Sequence, residues 1–163
     1  MEVEAQNPGF RPPTERVAFL LAQLGAYASA RFAERVAELD LQPSDVGLLR
    51  LIATEPGLSQ QTLAGRLGVV PSRVVALIDA LERKDLVTRT RSAKDRRNYE
   101  LHLSEKGRDA MSQMRRIGLA HETELLAGLD EAERRTLGAL LARLAASHEI
   151  SPDVHPGYRG MRG

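Results

Sequence analysis

Residues 58–104 read LSQQTLAGRLGVVPSRVVALIDALERKDLVTRTRSAKDRRNYELHLS, and this stretch decides the fold. Leu63 and Leu67 stand four residues apart, as on one face of a short helix capped by Ser59, and Gly68 stops that helix. Pro71 opens the next helix, because its fixed backbone angle and missing amide suit a first helical position. Val74, Leu77, Ile78 and Leu81 then form a buried stripe at helical spacing. Leu86 to Arg91 and Tyr99 to Leu103 alternate as two strands around a tip from Ser92 to Asn98. A helix, a tight turn, a second helix and a hairpin predict a winged helix-turn-helix. Such a unit can lay one helix in a DNA major groove while its hairpin reaches an adjacent minor groove, so the expected partner is double-stranded DNA.

Charge follows the same stretch. The 163-residue chain carries a net charge of only +1. Between Arg83 and Arg97, however, seven basic residues (Arg83, Lys84, Arg89, Arg91, Lys94, Arg96, Arg97) meet two acidic ones (Asp85, Asp95). A single basic stripe on a near-neutral protein suits directed phosphate binding better than a uniformly basic surface would. The alternative for the charge run alone is a solvated face. The expected DNA-contacting residues are Ser59, Gln60, Ser72, Arg73, Arg89, Arg91, Lys94, Asp95, Arg96 and Arg97. Ser72 and Arg73 lie at the leading tip of the recognition helix. There an arginine can donate two hydrogen bonds to a guanine edge, and a phosphate contact without base readout is the other reading.

The flanks are helical. From Thr14 to Leu39, Val17, Leu20, Leu21, Leu24, Tyr27, Ala28, Phe32, Val36 and Leu39 recur at three- and four-residue steps. Gln42-Pro43-Ser44 opens a short helix through Leu48, Leu49, Leu51 and Ile52, and Glu55-Pro56-Gly57 ends it. After Ser104 a long helix aligns Met111, Met114, Ile117, His121 and Leu125. Gly128 and Asp130 separate it from a last helix carrying Leu137, Leu140, Leu141 and Leu144. The fold class expected is mainly α with a small β-hairpin wing. Its layout is an N-terminal tail (1–12), a dimerisation helix (13–40), the winged reader (41–104), two dimerisation helices (105–147) and a C-terminal tail (148–163). Terminal helices that exposed a broad apolar face would dimerise, and the alternative is that they close a monomeric core.

Other classes find little support. Hydrophobic residues make up 42% and charged residues 28%, a soluble balance with no apolar run near the ~20 residues of a membrane span. Met1-Glu2-Val3-Glu4 lacks the basic start of a signal peptide, so a cytoplasmic location is expected. The absence of cysteine excludes disulfides and thiolate metal sites. His121-Glu122 would need a histidine at position 125 to form a zinc-protease motif, and Leu125 stands there. His102, His121, His148 and His155 are scattered, and neither a phosphate loop nor a nucleophile elbow occurs. No metal, cofactor or enzymatic activity is expected.

With Leu41-Gln42-Pro43-Ser44, Leu81-Glu82-Arg83-Lys84-Asp85-Leu86-Val87, Asp95-Arg96-Arg97 and Leu101-His102-Leu103-Ser104-Glu105-Lys106-Gly107 in place, the chain resembles the MarR family of transcriptional regulators from about Thr14 to Ser147. The resemblance implies a homodimeric repressor on a pseudopalindromic operator. The family's wing pattern of aspartate, any residue, arginine maps onto Asp95 and Arg97. It implies that Arg97 enters the minor groove, where its charge meets concentrated negative potential, while Asp95 braces the wing through a salt bridge. It also implies release by a small phenolic, carboxylate or other lipophilic effector between the dimer layer and the reader, with Tyr27, Arg31, Leu48 and Met114 expected near that cleft. Three positions depart from the pattern: Val70 where a polar cap is common, Asp85 where glycine is common, and Gln42 where threonine is usual. A winged-helix protein-interaction module, or a regulator without small-molecule control, is the alternative.

Overall fold

A computed structural model describes residues 16–151 together with Val154, His155 and Tyr158, so the expected tail over residues 1–12 lies outside the described residues. The order of elements is α1 (Val17–Ala37), α2 (Pro43–Thr54), β1 (Leu58–Ser59), α3 (Gln60–Leu67), α4 (Pro71–Arg83), β2 (Val87–Arg91), β3 (Tyr99–Leu103), α5 (Glu105–Leu125) and α6 (Glu131–Ser147). The punctuation residues act as their chemistry dictates. Pro43 and Pro71 open α2 and α4, Gly68 ends α3 at φ +65°, and Asp130 caps α6 by accepting the Glu133 amide at 2.9 Å. Gln42, in the usual threonine position, still begins α2, because the Asp45 carboxylate accepts its backbone N–H at 3.0 Å.

The sheet has three antiparallel strands in the order β1-β3-β2, where the sequence predicted two. β1 pairs Leu58 with Leu101 and Ser59 with Glu100, and two residues are too few for alternation to reveal a strand. β2 pairs in register from Val87 opposite Leu103 to Arg91 opposite Tyr99. Leu48, Leu49 and Ile52 of α2, Leu63 and Leu67 of α3, Val74, Ile78 and Leu81 of α4, and Leu101 of β3 form one buried core under the reader. α1 lies along α5, where the Phe32 and His121 rings meet with centroids 5.5 Å apart.

The reader is joined to α5 through one tight junction. Asp85 adopts φ +58°, a left-handed conformation that aspartate tolerates better than most residues. It turns the chain so that Leu86 O accepts the Ser104 amide at 3.0 Å, while Ser104 Oγ donates to Asp85 O and accepts the Gly107 amide at 2.9 Å. Gly107 is pressed against this turn, and a Cβ there would lie 2.0 Å from Leu86 O.

The outer helices do not close their own core. No residue of α6 is buried, and Leu140, Leu141 and Leu144 are exposed together with Val17, Phe19, Leu20, Leu21, Leu24 and Tyr27 of α1. The C-terminal residues correct an expectation. Within the predicted tail of 148–163, Tyr158 is 1% exposed and Val154 packs against the core. The Tyr158 hydroxyl donates to Ser44 O, and His155 meets its ring edge-on at 6.4 Å. Gly47 makes room for this, because a Cβ on it would come within 2.9 Å of the His155 Cβ. Burial, with the charge of Asp45, pushes the Tyr158 phenol well above its ordinary range, and burial pushes the His155 imidazole below its ordinary 6.5.

Gly107→Ala should therefore destabilise the fold by about 3 kcal/mol or more, because a backbone carbonyl cannot yield as a side chain would. Ser104→Ala, which removes a cap, should cost about 1 kcal/mol. Equal losses in chemical unfolding would contradict the tight junction. A histidine whose folded value lies below its unfolded one contributes stability that is complete above 6.5 and is lost as pH falls through the folded value. Carboxypeptidase trimming should accordingly speed up as pH falls below 6.5. A rate that tracked only the enzyme's own pH profile would show that protonation of His155 is not coupled to the docking of Tyr158.

Candidate nucleic-acid interface

Two structures meet on one side of the reader. The first is α4, whose inward stripe of Val74, Ile78 and Leu81 leaves Ser72, Arg73 and Ala76 exposed. Val70 offers no side-chain cap, and Pro71 sets the helix start alone, as its backbone angle allows. α3 lies beneath it. Ser59 is occupied there as a cap, accepting the Thr62 amide at 3.0 Å.

The second is the wing tip, held open by two short polar side chains. Ser92 is 8% exposed, and its hydroxyl accepts the amides of Lys94 at 3.2 Å and Asp95 at 3.4 Å. The Asp95 carboxylate accepts the Arg97 amide and the Asn98 side-chain amide, both at 3.0 Å. The expected brace is thus present, but in a different form. Among the described residues Asp95 forms no salt bridge, because both carboxylate oxygens are taken by N–H groups of the turn. This leaves the cations outward. Lys94, Arg96 and Arg97 are exposed, and neither they nor Arg73 have an ion pair among the described residues. Arg91 is only half committed, donating to Arg96 O at 3.3 Å and lying 5.6 Å from the Tyr99 ring centre. Between helix and wing, Gln60, Gln61, Pro71, Val75, Arg97 and Tyr99 border a concavity of about 310 Å³.

Arg89 and Gln60 sit differently from the rest of the expected set. Arg89 has 17% of its side chain exposed. It points under α4, donating to Gln60 Oε1 at 2.8 Å and Asp79 Oδ1 at 2.6 Å, and also to Glu82. Arg89 shares a strand face with the buried Val87, the one sequence signal that could have shown this.

The four residues expected near an effector cleft are not gathered. Leu48 and Met114 are core, Tyr27 is exposed on α1, and Arg31 pairs with Glu34 at 2.6 Å and Glu124 at 3.3 Å. Hydrogen bonding from Arg31, with the charge of Arg35, holds the Glu124 carboxyl below its usual range. Arg31 does line a groove of about 560 Å³ between α1 and α5. A second cavity, about 440 Å³, was not foreseen: Ile52, Leu103 and Met111 line it beside His102, Arg108 and Arg115. A third, about 260 Å³, lies among Ala28, Phe32, Pro43, His121 and His155. Among the described residues no group of side chains could hold a metal ion, and no helix is long and apolar enough to cross a membrane.

The fold and the cationic tip define a winged helix-turn-helix protein. Residues 41–99 match the model of the MarR family. A curated protein of Thauera aromatica, described as "Putative transcriptional regulatory protein for hcr operon", is 37% identical over 110 residues, covering 68% of this chain and 66% of that protein. The transcriptional repressor CouR, solved on a 23-mer DNA duplex, is 30% identical with a TM-score of 0.71, covering 89% of this chain and 99% of that one. A cysteine-to-serine mutant of MarR from E. coli, complexed with operator DNA, shares the fold at 22% identity, with a TM-score of 0.67 over 78% of this chain and 92% of that one. The chain belongs to the MarR family. It is accordingly a transcriptional regulator and not an enzyme.

Asp95→Ala should leave the fold and its thermal stability nearly unchanged while unfastening the tip. Hydrogen exchange at the Arg97 amide should accelerate at least tenfold, and retained protection would show that the tip does not depend on the carboxylate.

Proposed function

We propose that the protein is a homodimeric repressor that binds a pseudopalindromic duplex in the cytoplasm and is released by a small amphipathic effector. The carrying observation is the pairing of two cationic features on one side of the reader. Arg73 stands at the leading end of α4, and Lys94, Arg96 and Arg97 stand on a hydrogen-bonded tip. With α4 in a major groove, Ser72 and Arg73 face base edges or phosphates, and Arg97 enters the neighbouring minor groove. The duplexes bound by CouR and by the MarR mutant support the same partner for this chain.

The apolar faces of α1 and α6 support the dimer, because Leu21, Leu24, Leu140, Leu141 and Leu144 are exposed in the single chain. Twofold pairing presents two α4 helices, and half-sites one turn of DNA apart, about 34 Å, require one particular spacing between them. A ligand that binds better to another spacing weakens DNA binding by that differential affinity. Cavities where the reader meets α1 and α5 support such a ligand, and the mixture of Ile52, Leu103 and Met111 with Arg108 and Arg115 suits an apolar body with an acidic group.

Fluorescence anisotropy on a duplex selected from random sequences tests this reading. Arg97→Ala should weaken binding at least tenfold, reduce the salt slope by about one, and leave sedimentation as a dimer. Full affinity in that variant would refute the minor-groove assignment. Arg73→Ala should relax preference at one position of each half-site by ~1–3 kcal/mol if it grips a guanine edge. A uniform loss across sequences would make it a phosphate contact.

A further inference from the structure

Among the described residues Arg89 is the one cation of the wing that is turned inward, and its surroundings show what it does. Its guanidinium ties its own strand to two helices at once. From β2 it donates to Gln60 Oε1 at the start of α3 (2.8 Å), and along α4 to Val75 O (3.3 Å), Asp79 Oδ1 (2.6 Å) and Glu82. Positions 75, 79 and 82 form one ridge of α4, a quarter-turn or more from the buried stripe of Val74, Ile78 and Leu81. The apolar stripe holds α4 against the core. The ridge bonds add what a non-directional apolar contact cannot, a fixed rotation of the helix about its axis and a fixed distance to the wing. The planar fork of arginine spreads five donors over an extended plane and so spans acceptors on two helices, whereas lysine gathers three donors on one compact ammonium.

We infer that Arg89 is a positioning residue, which with Asp79, Glu82 and Gln60 fixes the wing relative to the recognition helix and touches no DNA itself. The inference rests on the DNA-binding reading of the same surface. Asp79 and Glu82 are also acidic residues on the helix proposed to face a polyanion, and among the described residues their ion pairs are with Arg89. A phosphate contact by Arg89 would require it to break away from two carboxylates. The two roles therefore predict opposite effects for removing those carboxylates.

The test is the Asp79→Asn, Glu82→Gln double variant, with Arg89→Lys as a second, conservative change. If Arg89 is a phosphate contact held in check, neutralising its partners frees it, and affinity rises with a steeper salt dependence. As a positioning residue it instead loses its anchors. Preference for the selected duplex over a scrambled one should then fall at least tenfold, and protection of the minor groove should be lost before that of the major groove. Arg89→Lys should reproduce the loss and not rescue it. Because the chain has no cysteine, nitroxide labels on Ala76→Cys and Ala93→Cys report the distance from helix to wing without DNA, in protein diluted with unlabelled chains. The distribution should be narrow in the parent and broad in both variants. Tighter binding, or an unchanged distribution, overturns the inference. A broadened distribution in a protein whose parent prefers no duplex supports the positioning role and refutes the DNA-binding reading instead.

Discussion

The first turn of α5 closes on three consecutive carbonyls. Lys84 O accepts from the Lys106 ammonium at 2.8 Å, Asp85 O from the Ser104 hydroxyl, and Leu86 O from the Ser104 amide at 3.0 Å. The carbonyl of Leu86 also lies against Gly107, where a side chain would have no room. The remaining architecture depends on this junction, because it is where the recognition helix ends, the wing begins and the helix that leads away from the reader starts. A shift of α5 thus displaces the root of the wing and the end of α4 together. That mechanical link is what control from a distance requires of a packed protein.

The reader separates its charges by function. Arg89 is partly buried and held by the carboxylates of Asp79 and Glu82. At the wing tip, Lys94, Arg96 and Arg97 instead stand without ion pairs among the described residues, on a turn whose own polar groups are satisfied. Ser92 and Asp95 take up the amides of Lys94, Asp95 and Arg97, so the tip does not need its cationic side chains to hold its shape. Cations without internal partners lose little on meeting phosphate, and a preformed turn loses little entropy.

Much of this was legible in the sequence. Proline, glycine and Ser/Asp caps mark the helix ends through local chemistry, and helical spacing identifies Val74, Ile78 and Leu81 as core without knowledge of the partner surfaces. What escaped depends on contacts distant in sequence. β1 is a strand only because Leu101 lies beside Leu58. Arg89 reads as one more basic residue of a charged run until Asp79 and Glu82 are placed next to it. Tyr158 sits in a stretch rich in proline and glycine that reads as a tail, and its seat is prepared more than a hundred residues earlier. Gly47 was the signal available, because a glycine inside a helix often marks close approach of another segment. The effector cleft was least legible: Leu48 and Met114 have the pattern of core residues and are core.

The outermost layer completes the account. No residue of α6 is fully buried within the described chain, and α1 exposes leucines, valine and aromatics on the same molecule. An apolar surface of this kind costs solubility unless a second copy covers it, and twofold pairing then converts one reader into two. Recognition of a pseudopalindromic duplex, as proposed, requires that conversion. Hydroxyl-radical footprinting of a selected duplex tests it most directly. Two protected tracts related by a twofold axis, with centres about one helical turn apart, are the predicted result. One isolated tract, or uniform weak protection along the duplex, would contradict a paired reader.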